Sequence, residues 1–330
     1  MREVAALAKV SIKTVSRVVN GESGVSPQLA RRVIAASERL SYRHNLTASC
    51  LRRSDGRSAT IGIVLEDVAN PFSSALNRSI EDVAVQRGVL VLAGSSDEDG
   101  DRERKLVSAF ASRRVDGLII QPSSEDHSYL ITERKAGTAI VFVDRPPAFF
   151  DADTVLTDNA AGVKRGVRHL VDHGHRRIAY LGDLHKIATA AERHRGYLEE
   201  LADQRIATDE RLVRLDLRGI EKAEAAVIEL LRLPNPPTAL LTGQNLITIG
   251  AFRALRRLDL HLRIALIGFD DILLADLLEP GITVIAQDPA AIGRTAAEML
   301  FRRLDGDRSP SEHRIVLTRM ITRGSGEIPP

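Results

Sequence analysis

Residues 10–20 read VSIKTVSRVVN, a pattern that predicts a short helix with one apolar face and one polar face. Val15, Val18 and Val19 are spaced i, i+3 and i+4, so they fall on one side of a helix and are expected to face a core. The opposite side consists of Lys13, Ser16, Arg17 and Asn20. A polar helical face of this kind suits the major groove of DNA, where side chains reach base edges.

Two more helices, one on either side, complete a predicted helix-turn-helix unit around a small core. Residues 3–8 form the first, and Ser11 is placed to cap the second by accepting a bond from an orphan backbone N–H. The apolar side of the first helix consists of Val4, Leu7 and Ala8. Ser26 and Pro27 begin a third helix as its N-cap and first residue. The apolar stripe of the third helix consists of Leu29, Val33, Ala36 and Leu40.

This pattern resembles the DNA-binding headpiece of the LacI/GalR family of bacterial transcription regulators. The resemblance rests on VSxxTVSRVVN at residues 10–20 and on VSxxxxxxVxxAxxxLxY at residues 25–42. It implies that Ile12, Lys13 and Arg17 contact base edges of double-stranded operator DNA, Arg17 by a bidentate bond to guanine. It also implies contacts that hold phosphates and fix the docking, made by Ser11, Thr14, Ser16 and Asn20.

The sequence departs from this family at two places near its start. Lys9 stands where the family usually has a glycine, in a turn that needs a left-handed backbone. Lysine adopts that backbone at a cost of roughly 1 kcal/mol. Glu3 stands where the family usually has Asp, after a Thr cap that this sequence lacks. We therefore expect a shortened start and a frayed, weakly capped first helix.

Positive charge is concentrated at the amino end of the chain. Residues 1–57 hold eleven Lys and Arg against four Asp and Glu, a net charge of +7. Because the whole chain carries only +2, the remaining residues carry −5. A basic head on a mildly acidic body is typical of a protein that binds phosphates through the head alone.

Residues 45–57 are predicted to be a linker, because a segment this short is marginal as an isolated helix. The linker resembles the family's hinge, with Asn45, Ala48 and Leu51 on the matching positions. The resemblance implies a short helix that pairs with its twin over the minor groove, with Leu51 wedged between base steps. Cys50 is the only cysteine, which excludes an internal disulfide and fits a reducing cytoplasm; we interpret it as a packing residue.

From residue 60 onward, short apolar runs alternate with amphipathic segments, which predicts parallel α/β sheets. The runs are IGIVL (61–65), VLVLA (89–93), GLII (117–120), AIVFV (139–143), IAYL (178–181), ALL (239–241) and IALIGF (264–269). About 270 residues exceed what one such sheet needs, so two subdomains are expected. No run approaches the ~18 to 20 apolar residues of a membrane span, and the charged start excludes a signal peptide, so we predict a cytoplasmic protein without a membrane partner.

The predicted fold class is an all-α helix-turn-helix headpiece joined to a core like that of periplasmic binding proteins, with two doubly wound parallel-sheet subdomains. The predicted divisions are a headpiece at 1–45, a hinge at 46–57 and a core at 58–330, with an N-subdomain of about 58–157 and 288–317 and a C-subdomain of about 158–287 and 318–330.

Polar residues follow several predicted strands, at the ends where open α/β sheets bind ligands. Each of them is equally suited to cap the next helix. This half of the chain resembles the family's effector domain, through NPF (70–72), VDRP (143–146), GHRRIAYLG (174–182), RxxGY (193–197), GFDD (268–271) and Gln287. The resemblance implies an effector cleft lined by Asn70, Phe72, Asp144, Arg193, Gln244 and Asp270. An Arg fork, carboxylates and an aromatic face suit a sugar, although Gln244-Asn245 replaces the family's usual Asn-Asp and leaves the effector open.

Enzymatic and metal sites have little support. The sequence lacks GxSxG, GxxxxGK and GxGxxG, so no motif supports a hydrolase or kinase function. His169 and His173 have metal-ligand spacing but no third ligand, and residues 97–101 match only half of a calcium loop; helix residues explain both better. We therefore predict no catalytic residue, no metal and no cofactor.

The sequence predicts a transcription regulator, a repressor that binds a pseudo-palindromic operator as a homodimer under the control of a sugar or sugar derivative. Ligand closing the cleft would reorient the subdomains and change the spacing of the paired hinges. Two alternatives remain: a cytoplasmic solute-binding protein, opposed by residues 1–57, and a sugar-processing enzyme, which requires a catalytic pair that the sequence does not show.

Overall fold

The computed structural model describes residues 1–19, 23–42 and 57–330. These residues form two compact units, Met1–Ala59 and Thr60–Pro330. Predictions that fall on Asn20, Asn45, Ala48, Cys50 and Leu51, and on the hinge before Arg57, lie outside the described residues.

The first unit contains three helices around a small apolar core. The helices are α1 (Arg2–Ala8), α2 (Ile12–Val19) and α3 (Pro27–Arg39). Val15 of α2 is fully buried, and Val18 and Val19 pack against the same core, so the predicted inward face is confirmed. Val33 of α3 lies in that core with Val4 of α1.

Helix ends in this unit follow the predicted caps. Ser11 Oγ accepts from the Thr14 backbone N–H at 3.0 Å, and Ser26 Oγ accepts from Leu29 N–H at 3.4 Å. Lys9 has φ 51° and ψ 49°, which confirms the left-handed turn, and no side chain caps the amino end of α1. Arg32 adds an unexpected tie, because its Nη2 donates to the carbonyl of Ala8 at 2.6 Å and so satisfies one end of α1.

Two predicted core residues of this unit are exposed. Leu7 is 42% exposed because the buried stripe of α1 runs through Val4, Ala5 and Ala8, and Leu7 lies about 100° around the helix from the middle of that stripe. Leu40 is 39% exposed because it is the C-cap of α3, where the backbone leaves the helical spacing. Both assignments were wrong because three short helices contact one another over a small surface, and the predicted apolar stripes reach beyond it.

The second unit contains two six-stranded sheets, as predicted. The strands are β1 (Thr60–Leu65), β2 (Leu90–Ser95), β3 (Gly117–Ile120), β4 (Ala139–Val143), β5 (Asp153–Thr157), β6 (Ile178–Leu181), β7 (Val213–Arg214), β8 (Ala239–Thr242), β9 (Ala265–Phe269), β10 (Thr283–Ala286), β11 (His313–Val316) and β12 (Arg319–Ile321). The first sheet has the order β11-β5-β4-β3-β1-β2 and the second has the order β12-β10-β9-β8-β6-β7. All pairings are parallel except that of β12 with β10.

Helices cover both faces of each sheet. They are α4 (Pro71–Gln86), α5 (Gly100–Ser112), α6 (Leu130–Lys135), α7 (Asn159–Asp172), α8 (Ala188–Asp203), α9 (Ile220–Leu231), α10 (Asn245–Arg257) and α11 (Pro289–Leu304), with 3-10 turns at Glu210–Leu212 and Ser325–Glu327. Ile80 of α4 and Leu300 of α11 pack on one face of the first sheet, and Phe110 of α5 packs on the other. Burial on both faces explains why the central strands are continuous apolar runs.

The chain crosses between the sheets three times, between β5 and α7, between β10 and α11, and between β11 and β12. Each subdomain is therefore built from separated stretches of sequence. Across residues 1–19, 23–42 and 57–330, no helix has the length and apolar composition that crossing a membrane requires.

The apolar runs located the central strands better than the edges. The run at 89–93 was expected to be buried, but β2 is an edge strand with Leu90 exposed. Strands β5, β7, β10, β11 and β12 correspond to none of the predicted runs; they are two to five residues long, and β7, β11 and β12 lie at sheet edges. Sequence periodicity carries little information over so few residues.

Candidate functional site

The outward face of α2 is the first candidate site. Ser11, Ile12, Lys13 and Arg17 are exposed, and Thr14 and Ser16 are partly buried. Ile12 is a large apolar side chain on this polar surface rather than in the core. The helix therefore presents an apolar group beside cations, which is the mixture that base edges and phosphates require.

The second candidate site is a cavity between the two sheets, with about 460 Å³ of space that no atom occupies, including space open to solvent. It lies at the carboxyl ends of the strands of both sheets, as expected for open α/β folds. All six residues predicted for the cleft line this cavity: Asn70, Phe72, Asp144, Arg193, Gln244 and Asp270. The residues predicted from the sequence therefore come from both subdomains and line one cavity.

Two aspartates occupy equivalent positions in the two sheets. Asp144 directly follows β4 with φ 68°, and Asp270 directly follows β9 with φ 69°. The backbone N–H of Asp144 donates to Val155 O, and that of Asp270 donates to Ile285 O, each at 2.9 Å. These bonds to the neighbouring strand hold a left-handed turn that aspartate tolerates better than most residues. Each carboxylate is therefore fixed at the end of its sheet.

Arg193 is 5% exposed and is held in place by neutral groups. Its Nε donates to Asn159 Oδ1 and its Nη1 donates to the carbonyl of Gly243, both at 2.8 Å. The guanidinium carbon lies 3.8 Å from the centre of the Phe269 ring, a cation–π contact. These contacts engage one side of the fork, so the N–H groups of Nη2 are available to a ligand.

Glycine in α8 brings this arginine to the cavity. A Cβ at Gly196 would lie 2.5 Å from the carbonyl oxygen of Ala160 in α7. Only glycine therefore allows α8 to approach α7 this closely, and Arg193 lies on the same helix three residues earlier.

Glutamines orient both aspartates. Gln121 Nε2 donates to Asp144 Oδ2 at 3.1 Å, and Gln287 Nε2 donates to Asp270 Oδ1 at 2.7 Å. Burial raises the pKa of Asp270, while Arg193 and Gln287 oppose that shift. Amide and guanidinium groups thus partly offset the cost of placing this carboxylate inside the protein.

Asn70 and Gln244 also serve as helix caps, so the capping interpretation holds for both of them. Asn70 Oδ1 accepts from Phe72 N–H at 3.0 Å, and Gln244 Oε1 accepts from Leu246 N–H at 2.8 Å. Asn70 Oδ1 additionally accepts from Asn245 Nδ2 at 2.8 Å, a buried contact that joins the two subdomains.

Several cavity residues were missed by sequence reasoning. They are Glu66, Ser73, Glu98, Gln121, Asp183 and Thr189, while Arg145 and Gln287 stood in the motifs that carry the family resemblance but were not assigned to the cleft. Glu66 and Gln121 directly follow β1 and β3, so the rule that ligands bind beyond the carboxyl ends of strands would have found them. Gln287 follows β10, a strand that no predicted run marks.

His169 lies in α7 and His173 is its C-cap, as interpreted. Of the acidic run at 97–101, Asp99 and Asp101 belong to the start of α5, whereas Asp97 and Glu98 form a left-handed turn before it, so the helix interpretation was wrong for those two residues. His169 Nε2 lies 2.6 Å from Glu327 Oε1, and His173 Nδ1 lies 2.8 Å from the His169 carbonyl. Asp99 caps α5 by accepting from Asp101 N–H at 2.8 Å. Among residues 1–19, 23–42 and 57–330, no group of three His, Cys, Asp or Glu side chains is placed to hold a metal ion.

Comparison with known proteins identifies the family. Residues 1–45 match the bacterial regulatory proteins of the lacI family, and residues 167–326 match a periplasmic binding protein-like domain. The HTH-type transcriptional regulator GalS of Salmonella typhimurium is 30% identical to this chain, over 98% of this chain and 96% of its own length. The chain belongs to the LacI family of bacterial regulatory proteins.

Solved LacI-family structures share both parts of the chain. The Lac repressor dimer bound to operator and the anti-inducer ONPF is similar with a TM-score of 0.85 and 26% identity, covering 98% of this chain and 97% of that one. A complex of the transcriptional regulator CelR with cellobiose is similar with a TM-score of 0.72 and 28% identity, covering 98% of each chain. The resemblance drawn from the sequence is therefore confirmed, and the relatives are DNA-binding transcriptional regulators with a ligand-binding core.

Proposed function

We propose that this chain is a transcriptional repressor that binds double-stranded operator DNA as a homodimer and responds to a sugar or sugar derivative. The observation that carries the proposal is the cavity between the two sheets, which is lined by fixed polar groups from both subdomains. A ligand that contacts both sheets at once stabilises one arrangement of the subdomains over others. The chain acts as a regulator and not as an enzyme, and it acts in the cytoplasm, where bacterial operators are found.

The proposed DNA contacts lie on the outward face of α2. Ile12, Lys13 and Arg17 contact base edges, with Arg17 bidentate to guanine. The docking contacts are made by Ser11, Thr14, Ser16 and Asn20. The hinge at 46–57, with Asn45, Ala48 and Leu51 at the minor groove, links a headpiece at 1–45 to the core at 58–330. Within the core, the proposed subdomains are about 58–157 with 288–317 and 158–287 with 318–330.

The proposed ligand contacts use what the cavity offers. Arg193 Nη2 donates two hydrogen bonds, and the carboxylates of Asp144 and Asp270 accept bonds from neighbouring hydroxyls. Phe72 supplies an apolar surface for one face of a sugar ring, and Asn70 and Gln244 complete the wall. Ligand binding changes operator affinity because both are linked to the same arrangement of the subdomains.

Operator selection from random DNA, followed by fluorescence anisotropy at fixed salt, tests the first half of the proposal. The expected result is an enriched pseudo-palindrome bound at least a thousandfold more tightly than random DNA, a ratio typical of specific sites. Equal affinity for the selected and the random duplex, with folding verified by circular dichroism, would overturn it. A sugar panel added to the same assay tests the second half, since an effector must change operator affinity.

A further inference from the structure

The cavity has more acidic than basic side chains. Its described lining contains five carboxylates and two guanidiniums, which are Glu66, Glu98, Asp144, Asp183, Asp270, Arg145 and Arg193. A net negative cavity disfavours an anionic ligand and favours a cationic one. The charge count therefore bears on the class of effector.

Arg145 neutralises only part of this charge. It donates to both carboxylate oxygens of Glu98 at 2.6 and 2.9 Å and to the Pro122 carbonyl at 2.8 Å. Its Nε also lies 3.3 Å from Asp144 Oδ2. Arg193, the other cation, is held by the neutral oxygens of Asn159 and Gly243. The ion pairs of Arg145 are with Glu98 and Asp144, so Glu66 and Asp183 have no ion pair within 4 Å to it, while Asp270 is stabilised by Arg193 only at a longer distance.

Glu66 and Asp183 come from different subdomains, one after β1 and one after β6, and both line the cavity. The cation paired with Glu66 is Arg218, whose Nη2 is 3.9 Å from Oε1 and donates to the Asp97 carbonyl at 3.1 Å. Burial raises the pKa of Glu66 to about 7, with Glu98 adding to the shift, and burial raises the pKa of Asp183. Burial is the largest cause of both shifts, and nearby arginines offset it only in part: Arg145 and Arg218 lower the pKa of Glu66, and Arg193 and Arg145 lower that of Asp183.

Besides Arg145 Nε, two buried polar atoms in the same cavity have no hydrogen-bond partner among the described residues, and they point to a ligand independently of charge. Ser73, 1% exposed, has a buried hydroxyl without a hydrogen-bond partner among the described residues. Gln287 is 8% exposed, and its buried Oε1 also has no hydrogen-bond partner among the described residues, while its Nε2 donates to Asp270 Oδ1. An orphaned amide oxygen needs a donor, and buried polar groups in native proteins rarely remain without one.

We propose that the effector is a hydroxylated small molecule that carries a protonated amine, as in a free amino sugar. The ammonium group binds between Glu66 and Asp183, and the hydroxyls bind Arg193, Asp270 and the Oε1 of Gln287. A metal ion is a poorer candidate, because the described residues contain no group of three ligands placed to hold one. This inference rests on the proposed function, since it concerns the same cavity.

Isothermal titration calorimetry on the full chain with matched sugars tests the proposal. The probes are glucosamine, galactosamine and mannosamine, each compared with its neutral parent, its N-acetyl derivative and its 6-phosphate. At least one amino sugar is expected to bind tenfold or more tightly than its parent and its N-acetyl form. The 6-phosphate is expected to bind more weakly than any of these three compounds. A parent or N-acetyl form that binds as tightly as the amine overturns the proposal, and so does a panel in which no amino sugar binds.

A substitution locates the amine. In Glu66→Gln, the ratio of amino-sugar to parent affinity is expected to fall at least threefold, because one of the two carboxylates that hold the ammonium loses its charge with little change in shape. Glu229→Gln, an exposed carboxylate of α9, is the matched control and is expected to keep the wild-type ratio. A Glu66→Gln protein that keeps its preference for the amine refutes the placement.

Operator binding separates this inference from the proposed function. If a neutral sugar alters operator affinity and no amine is preferred, the regulator proposal stands and the amine proposal fails. If the chain does not discriminate its selected operator from random DNA, the regulator proposal fails, whatever the calorimetry shows.

Discussion

Arg193 is a buried cation whose guanidinium is positioned by neutral oxygens, so its geometry matters as much as its charge. Lysine keeps the charge but cannot reproduce the planar fork. We predict that Arg193→Lys lowers effector affinity by roughly ten- to a hundredfold and the free energy of unfolding by about 1 to 3 kcal/mol, since the oxygens of Asn159 and Gly243 lose their donors. Calorimetry and urea unfolding measure the two effects.

The control is Arg195→Lys on the same helix, where the side chain is exposed and lies 3.7 Å from Glu199. Exposed pairs of this kind contribute little to stability, so neither quantity is expected to change appreciably. Equal losses of effector affinity and of unfolding free energy in the two variants would show that α8 is sensitive to any substitution. That result would contradict a specific role of Arg193.

Arg17 is exposed on α2, where a guanidinium can reach the two acceptors of a guanine. We predict that Arg17→Ala loses about 1 to 3 kcal/mol of binding free energy and relaxes the preference at one operator position. Anisotropy with single-base variants of the selected operator measures the position-specific effect. The same loss on random DNA would instead indicate a phosphate contact.

Glu66 makes stability depend on pH in an unusual direction. Burial raises its pKa from 4.5 to about 7, so the folded state binds more protons than the unfolded state between those values. The contribution of Glu66 to stability is therefore most favourable below its unfolded pKa and is lost as pH rises towards 7. We predict that Glu66→Gln stabilises the protein relative to wild type at pH 8 by on the order of 2 kcal/mol, and little at pH 4.5. Urea unfolding at both pH values tests this, and a constant difference would contradict the raised pKa.

At the scale of the secondary-structure elements, the close packing of α7 against α8 determines the position of Arg193. A methyl group at Gly196 would meet the Ala160 carbonyl, which is backbone and cannot rotate away. We predict that Gly196→Ala destabilises the fold by about 1 to 3 kcal/mol, as overpacking does, and weakens effector binding because α8 must shift. Thermal unfolding and calorimetry measure both losses. Glu199→Ala, exposed on α8, is the control and is expected to stay within about 0.5 kcal/mol of wild type.

Which elements can be predicted from sequence depends on how local their determinants are. Helix α2 was predictable because its apolar spacing and its Ser11 cap lie within ten residues. Strands β1, β3 and β4 were predictable because burial on both faces leaves an uninterrupted apolar run. Strand β11 was not, because its partner β5 lies far away in the sequence and its charged residues resemble a loop.

The candidate site shows the same limit. Asp144 and Asp270 could be predicted because each directly follows a recognisable strand. Glu66 directly follows β1 and could have been predicted in the same way. Asp183 comes two residues after β6, and its place in the same cavity as Glu66 follows only from the arrangement of the two sheets. The network of charges therefore required the structure, although each residue type was visible beforehand.

At the scale of the whole molecule, polar contacts between described residues join the two sheets across the cavity. The described ones include the bond from Asn245 Nδ2 to Asn70 Oδ1 at 2.8 Å and that from Arg218 Nη2 to the Asp97 carbonyl at 3.1 Å. Because these contacts belong to one arrangement of the subdomains, they bias its population. Ligand and operator act on the same equilibrium in the proposed mechanism.

Loss of the buried contact should therefore change both binding reactions. A hydrogen bond of this kind contributes roughly 0.5 to 1.5 kcal/mol, so Asn245→Ala is expected to shift the equilibrium between arrangements by about two- to twelvefold. We predict that effector affinity and operator affinity change together, in opposite directions if the effector releases DNA and in the same direction if it promotes binding. Calorimetry and anisotropy on one preparation measure both, with Arg263→Ala, an exposed residue of the same subdomain, as control. A change in only one of the two affinities would contradict a coupling that passes through the arrangement of the subdomains.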